Sequence, residues 1–101
     1  MSTVVHHQPR VAWDFASAAV GAAGAADDTY RWFAARVAEL LGPAAAGELG
    51  RTRVRLSAAA RPDTRHIELG RWRVSIEDAL RTTPGLGATL VELIDEAAAG
   101  R

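Results

Sequence analysis

The chain contains no cysteine. Disulfide frameworks, thiolate nucleophiles and cysteine-ligated zinc are thereby excluded. Lysine is absent as well: all 12 basic residues are arginine, and 12 acidic residues bring the formal net charge to zero. A balanced charge exerts no overall pull toward nucleic acid or an anionic membrane. The arginine-only usage has a bland source in the codon bias of a high-GC genome. Aromatic residues are scarce, with three Trp, two Phe and one Tyr. Long apolar runs are missing too. The nearest approach, VAWDFASAAVGAAGAADD, is interrupted by Asp14, consists largely of alanine, and falls short of the ~20 apolar residues a membrane span needs. The leader MSTVVHHQPR has a single Arg, which argues against a signal peptide. A cytoplasmic chain without a membrane partner is expected.

At 101 residues the chain is one domain, able to bury roughly two-thirds of its unfolded surface. Hydrophobic residues make up 49%, but much of this is alanine, which adds helix propensity more than core volume. Such a core is thin unless helices approach closely or a second subunit completes it. Charge is distributed unevenly. Residues 1–50 carry net −2, residues 51–73 net +5 with seven Arg, and residues 74–101 net −3. The basic middle therefore folds against the acidic flanks, meets a neighbouring copy, or faces an anionic partner.

Residues 1–10 read as a flexible lead, and residues 11–100 as a single helical domain. Between Val11 and Ala26 the residues Trp13, Ser17, Val20 and Gly24 recur at helical spacing. Small residues at Ser17, Gly21 and Ala25 would admit a closely packed second helix; the alternative is an Ala-rich surface helix of low stability. DDTYRWFAARVAELLGP is the clearest helix, with Tyr30, Phe33, Val37, Leu40 and Leu41 on one face. Asp27 or Asp28 is a suitable N-cap and Gly42-Pro43 a stop signal, although the two segments could also form one helix through Asp27.

From Pro43 onward two periods compete. Leu49, Thr52, Leu56 and Ala59 share a helical face, yet RTRVRLS alternates strictly, as a half-buried strand does. HIELGRWRVS shares the doubt: Gly70 could mark a bulge and Ser75 could open a helix, giving a hairpin over 51–75 that turns at ARPDTR. The helical reading is preferred because Leu69, Trp72, Ile76, Ala79 and Leu80 form one unbroken stripe. At the C-terminal end Thr83 is an N-cap candidate with Pro84 in the first helical position, and Leu86, Leu90, Leu93, Ile94 and Ala97 face a core. The expected fold is all-α, a small bundle of about four helices, with an α+β fold as the alternative.

Three segments, DDTYRWFAARVAELLG, ARPDTRHIELGRWRVSIEDAL and RTTPGLGATLVELIDEAA, together resemble a loose group of uncharacterised Ala/Arg-rich helical proteins and N-terminal modules of high-GC bacteria. Trp72 stands where that pattern has a central Trp. Pro84, Leu86, Leu90 and Leu93 fill its last helix. The resemblance implies an all-helical module, sometimes associated with larger signalling or defence proteins, and it brings no activity or functional residues.

Chemical signatures are sparse. His6 and His7 are adjacent in the leader, a spacing that does not place two ligands on one helical face, so no metal is expected. None of Ser2, Ser17, Ser57 and Ser75 lies in a nucleophile-elbow sequence, and no phosphate-binding glycine loop occurs. Neither an enzyme nor a cofactor is expected. The arginine band is the best anion-binding candidate, with Arg51, Arg55, Arg65, Arg71 and Arg73 at its centre. Its members diverge around a helix, which suits a solvated face better than a base-reading surface. The favoured reading is a non-catalytic protein–protein interaction or self-association module of a bacterial signalling or defence-type system. Its interface residues would be Trp13, Gly21, Trp32 and Trp72, because aromatic anchors dominate interface energetics. A small DNA-binding regulator and an antitoxin or immunity-type partner are the alternatives.

Overall fold

The computed structural model describes residues 8–59 and 61–99. These form five α-helices: α1 Gln8–Ala23, α2 Asp27–Leu41, α3 Pro43–Ser57, α4 Thr64–Thr82 and α5 Leu86–Ala98. The fold is an all-α bundle, with one helix more than the periodicity suggested, because Gly24-Ala25-Ala26 separates α1 from α2. No strand occurs among the described residues, so the hairpin alternative over 51–75 is replaced by the end of α3, a turn and the first two-thirds of α4. Ser75, the candidate helix start, lies inside α4. The alternation of RTRVRLS does not mark a buried face: Thr52 is buried but Val54 is 67% exposed, while Arg53 and Arg55 reach sideways to partners on other elements.

Helix α1 is the centre of the bundle and touches all four others. Its buried residues are Val11, Ala12, Phe15, Ala16, Ala19, Val20, Ala22 and Ala23, a band far wider than the single stripe of a surface helix. Alanine explains this placement, since a helix bare of bulk can be surrounded. Of the small residues singled out by spacing, Gly21 is exposed and Ala25 lies in the loop, whereas Ala12, Ala16, Ala19 and Ala23 are alanines buried among the other helices. Gln8 to Arg10 belong to α1, while His6 and His7 lie outside the described residues.

Helices α2 and α3 form an antiparallel pair joined at Gly42, whose φ of 95° is the left-handed conformation that suits glycine. Gly42 accepts α2's end, its N–H donating to the Ala38 carbonyl, and Pro43 opens α3 at a position where no N–H is needed. Asp27 and Asp28 sit inside the first turn of α2 rather than capping it, near its positive dipole end. Thr83 likewise does not cap α5, which begins two residues after Pro84 and has no side-chain cap. The Thr83 carbonyl instead accepts from the Leu86 N–H at 3.0 Å.

The core is aromatic at its middle. Phe15 of α1 lies 5.9 Å from Phe33 of α2 and 6.1 Å from Trp72 of α4, between ring centroids, each pair tilted. Val37, Leu49, Ile76, Leu80, Leu90 and Leu93 extend it through every remaining helix. Arg36 ties α2 to α5 by an Nε–Oε1 contact of 3.3 Å to Glu96 and also holds Glu39; the two carboxylates, Glu39 first, raise its pKa. No helix among the described residues is long and apolar enough to cross a membrane.

Candidate functional site

Helices α3 and α4 run antiparallel, as pairing of Thr52 with Trp72 and of Arg55 with Glu68 requires. Between them lies a polar cluster with a buried base. Glu68 is 2% exposed and Thr52 fully buried. An ionised carboxylate at such a position needs hydrogen-bonded charge partners, and Arg55 supplies them. Its Nε donates to Glu68 Oε2 at 2.8 Å and its Nη2 to Glu68 Oε1 at 3.0 Å, a two-pronged contact that only a guanidinium can make. The same Nη2 donates to Glu48 Oε2 at 2.8 Å.

Thr52 completes the seam. Its hydroxyl accepts from the Trp72 indole N–H at 2.9 Å and donates to the Glu48 carbonyl one turn back at 3.0 Å. Every buried side-chain polar atom among the described residues thus has a partner. Hydrogen bonding from Arg55 holds the Glu48 carboxyl below its ordinary range, against a smaller opposing effect of burial, and Arg51 adds to the lowering. The Arg55 guanidinium is correspondingly raised by Glu68 and then Glu48.

Arg53 does different work at the other edge of α3. Its Nη1 donates to the carbonyls of Ala23 and Ala25 at 2.9 and 2.8 Å, its Nη2 meets Asp27 at 2.6 Å, and its guanidinium stacks 4.5 Å from the Tyr30 ring centroid. One side chain therefore satisfies the carbonyls left at the end of α1 and fixes the turn into α2. Asp27 is engaged by this contact, and the N-cap position falls one residue earlier, on Ala26.

Three of the five remaining members of the arginine band take local partners. Arg51 pairs with Glu48, Arg61 with Asp63, and Arg73 with Glu77 at 3.6 Å. Arg71 approaches Glu68 only to 3.8 Å and makes no hydrogen bond among the described residues. Arg65 is exposed and forms no ion pair among the described residues. Of the five anion-binding candidates, Arg51, Arg55 and Arg71 are thus gathered around Glu48 and Glu68, whereas Arg65 and Arg73 stand apart from them. Glu48 and Glu68, which organise the cluster, are not among the sequence candidates, and Thr52 enters there only as a member of a helical face. Their signal is present in the chain as Glu48, Thr52 and Arg55 at steps of four and three, and Glu68 with Trp72 at a step of four.

Two grooves flank the bundle's centre. The first, about 460 Å³, lies between α3 and α4 and is lined by Leu41, Ala44, Ala45, Glu48, Arg51, Arg71, Trp72, Ser75, Ile76 and Ala79. The second, about 380 Å³, lies where α1, α2 and α5 meet and is lined by Ser17, Ala18, Gly21, Ala22, Thr29, Trp32, Phe33, Ile94, Ala97 and Ala98. Gly21 and Trp32, two of the interface candidates, share this second groove. Trp13 is 43% exposed one helical turn before Ser17, and Trp72 is buried in the core with one edge on the first groove. His66 is exposed, and no group of three or more metal-ligating side chains converges among the described residues. No family model, curated protein or solved structure matches the chain.

Proposed function

We propose that the chain is a non-catalytic protein–protein interaction module that self-associates through the groove formed by α1, α2 and α5. The observation that carries this reading is the groove's lining: ten residues without one ionisable side chain, in a chain where 24% of residues are charged. Trp13 extends the same face of α1, since positions 13, 17 and 21 follow one another at steps of four. In a two-fold arrangement Trp13 of each copy enters the other's groove, giving an isologous contact with an aromatic anchor. Arg53 and Arg55 are spent on groups of this chain, and neighbouring carboxylates offset Arg51, Arg61 and Arg73, which tells against a DNA-binding reading.

Gly21 offers a clean test. A Cβ built there meets nothing within 4 Å, so Gly21→Arg obstructs the groove without disturbing the fold, and it removes a helix-interior glycine whose cost is about 0.5–1 kcal/mol relative to alanine. Sedimentation equilibrium should give a concentration-dependent dimer for the parent chain and a monomer of unchanged helicity for Gly21→Arg. A parent chain that is monomeric at every concentration, or a variant that dimerises equally well, contradicts the reading.

A further inference from the structure

The α3–α4 groove is polarised along its length. Because the two helices are antiparallel, Arg51 of α3 and Arg71 of α4 fall at one end, beside Glu48 and the Trp72 edge. Leu41, Ala44, Ala45 and Ala79 fall at the other, with Ile76 on the floor between. The charged end is not neutral. Arg51, Arg55 and Arg71 share two carboxylates, Glu48 and Glu68, leaving one positive charge uncompensated. Arg55 is committed to both carboxylates, so the surplus resides on Arg51 and Arg71, whose side chains are each 62% exposed. Arg71 in particular makes no hydrogen bond among the described residues, and the carboxylate it approaches, Glu68, is already held by both prongs of Arg55.

We propose that this groove binds a small amphiphilic anion, a carboxylate on a medium-length acyl chain, with the head at Arg51 and Arg71 and the tail toward Ala44 and Ala79. Charge gathered at one end and apolar surface at the other match a ligand with a single head and a tail. An acidic helical peptide would need cations spaced along the groove. The dimensions agree: Arg71 to Ala79 spans about 12 Å of helix at 1.5 Å per residue, the reach of about eight to ten carbons at ordinary single-bond lengths. The volume of about 460 Å³ lies in the ordinary range for small-molecule sites. Ser75, exposed beside the groove's middle, is the one uncharged polar side chain in its lining.

The test titrates the full chain with decanoate, decanol and butyrate, read by calorimetry and by the Trp72 indole N–H resonance. Decanoate should bind one to one and shift that resonance, with decanol (tail alone) and butyrate (head with little tail) each weaker by at least tenfold. Arg51→Gln with Arg71→Gln should weaken decanoate at least tenfold while leaving decanol unchanged. Ser75→Trp, which fills the groove from an exposed position and leaves the charged cluster intact, should abolish binding even if the double variant is poorly folded. Absence of saturable decanoate binding, equal affinity for decanoate and decanol, or full affinity in a folded Ser75→Trp chain overturns the proposal. Binding of an acidic amphipathic peptide in preference to decanoate does so too. Since Gly21 and Trp32 lie in the other groove, a monomeric parent chain leaves this test unaffected.

Discussion

Helix α4 is held on two sides by opposite means. Toward α1 it meets a helix rich in buried alanine, and the two backbones run close over most of their length. Toward α3 it meets Thr52, Arg55 and Glu48 through Glu68 and Trp72, and the backbones approach over a shorter stretch, leaving a groove beyond the cluster. Small side chains let cylinders touch and bury everything between them. Long charged side chains hold cylinders at a distance set by the guanidinium and carboxylate, and the space not filled by the pair stays open. The same chain therefore builds a sealed seam from alanine and an open one from arginine.

This contrast is broken most severely on the sealed side. Phe15 is fully buried and touches the rings of both Phe33 and Trp72. Phe15→Ala should cost about 3–5 kcal/mol by urea denaturation, because a helix surrounded on several sides cannot collapse into the cavity. A loss below about 1 kcal/mol would mean that α1 is not central.

On the open side the expected cost is smaller. Thr52→Val is close in shape but leaves the buried Trp72 indole N–H without its acceptor. The loss should be about 1–3 kcal/mol, with the indole resonance shifted. Equal stability of variant and parent would show that the seam is held by packing alone.

Acid should act on the open seam first. Glu48's pKa is lowered in the folded chain, so its contribution to stability is complete above the ordinary value of 4.5 and is lost as pH falls through the lower folded value. Urea midpoints of the parent should fall on the acid side of 4.5, and Glu48→Gln should flatten that part of the curve. An identical acid slope in the two proteins would contradict the assigned role. The effect is modest, because Glu48's side chain is 39% exposed and its ion pairs are screened by solvent.

The sealed seam and the open one were not equally legible in the sequence. The apolar stripes of α2, α4 and α5 follow from residue spacing, and Phe33, Val37, Trp72, Ile76, Leu80, Leu90 and Leu93 are all buried as their periodicity predicts. Glycine and proline placed the α2–α3 junction at Gly42-Pro43 correctly. Helix α1 is harder, because a stripe of alanine has no contrast in hydrophobicity: the helical spacing of Trp13, Ser17, Val20 and Gly24 includes the buried Val20 but none of the buried Ala12, Ala16, Ala19 and Ala23. The charged cluster was harder still. Glu68 reads as one more surface acid until its carboxylate is seen beneath Arg55, a contact set by the antiparallel register of two helices and invisible to any local window. Asp27 shows the same limit, since the helix opens one residue earlier than its best capping residue by type and Asp27 meets an arginine 26 positions away.

The central claim is that Arg55, in the arginine-rich middle, is spent on the buried carboxylate of Glu68 between α3 and α4. Hydrogen exchange at the arginine Nε–H groups tests this most directly. The Arg55 Nε–H, enclosed by Glu68, should exchange far more slowly than that of exposed Arg65, and Glu68→Gln should bring the two closer together. Equal, fast exchange at Arg55 and Arg65 in the parent chain would contradict the account.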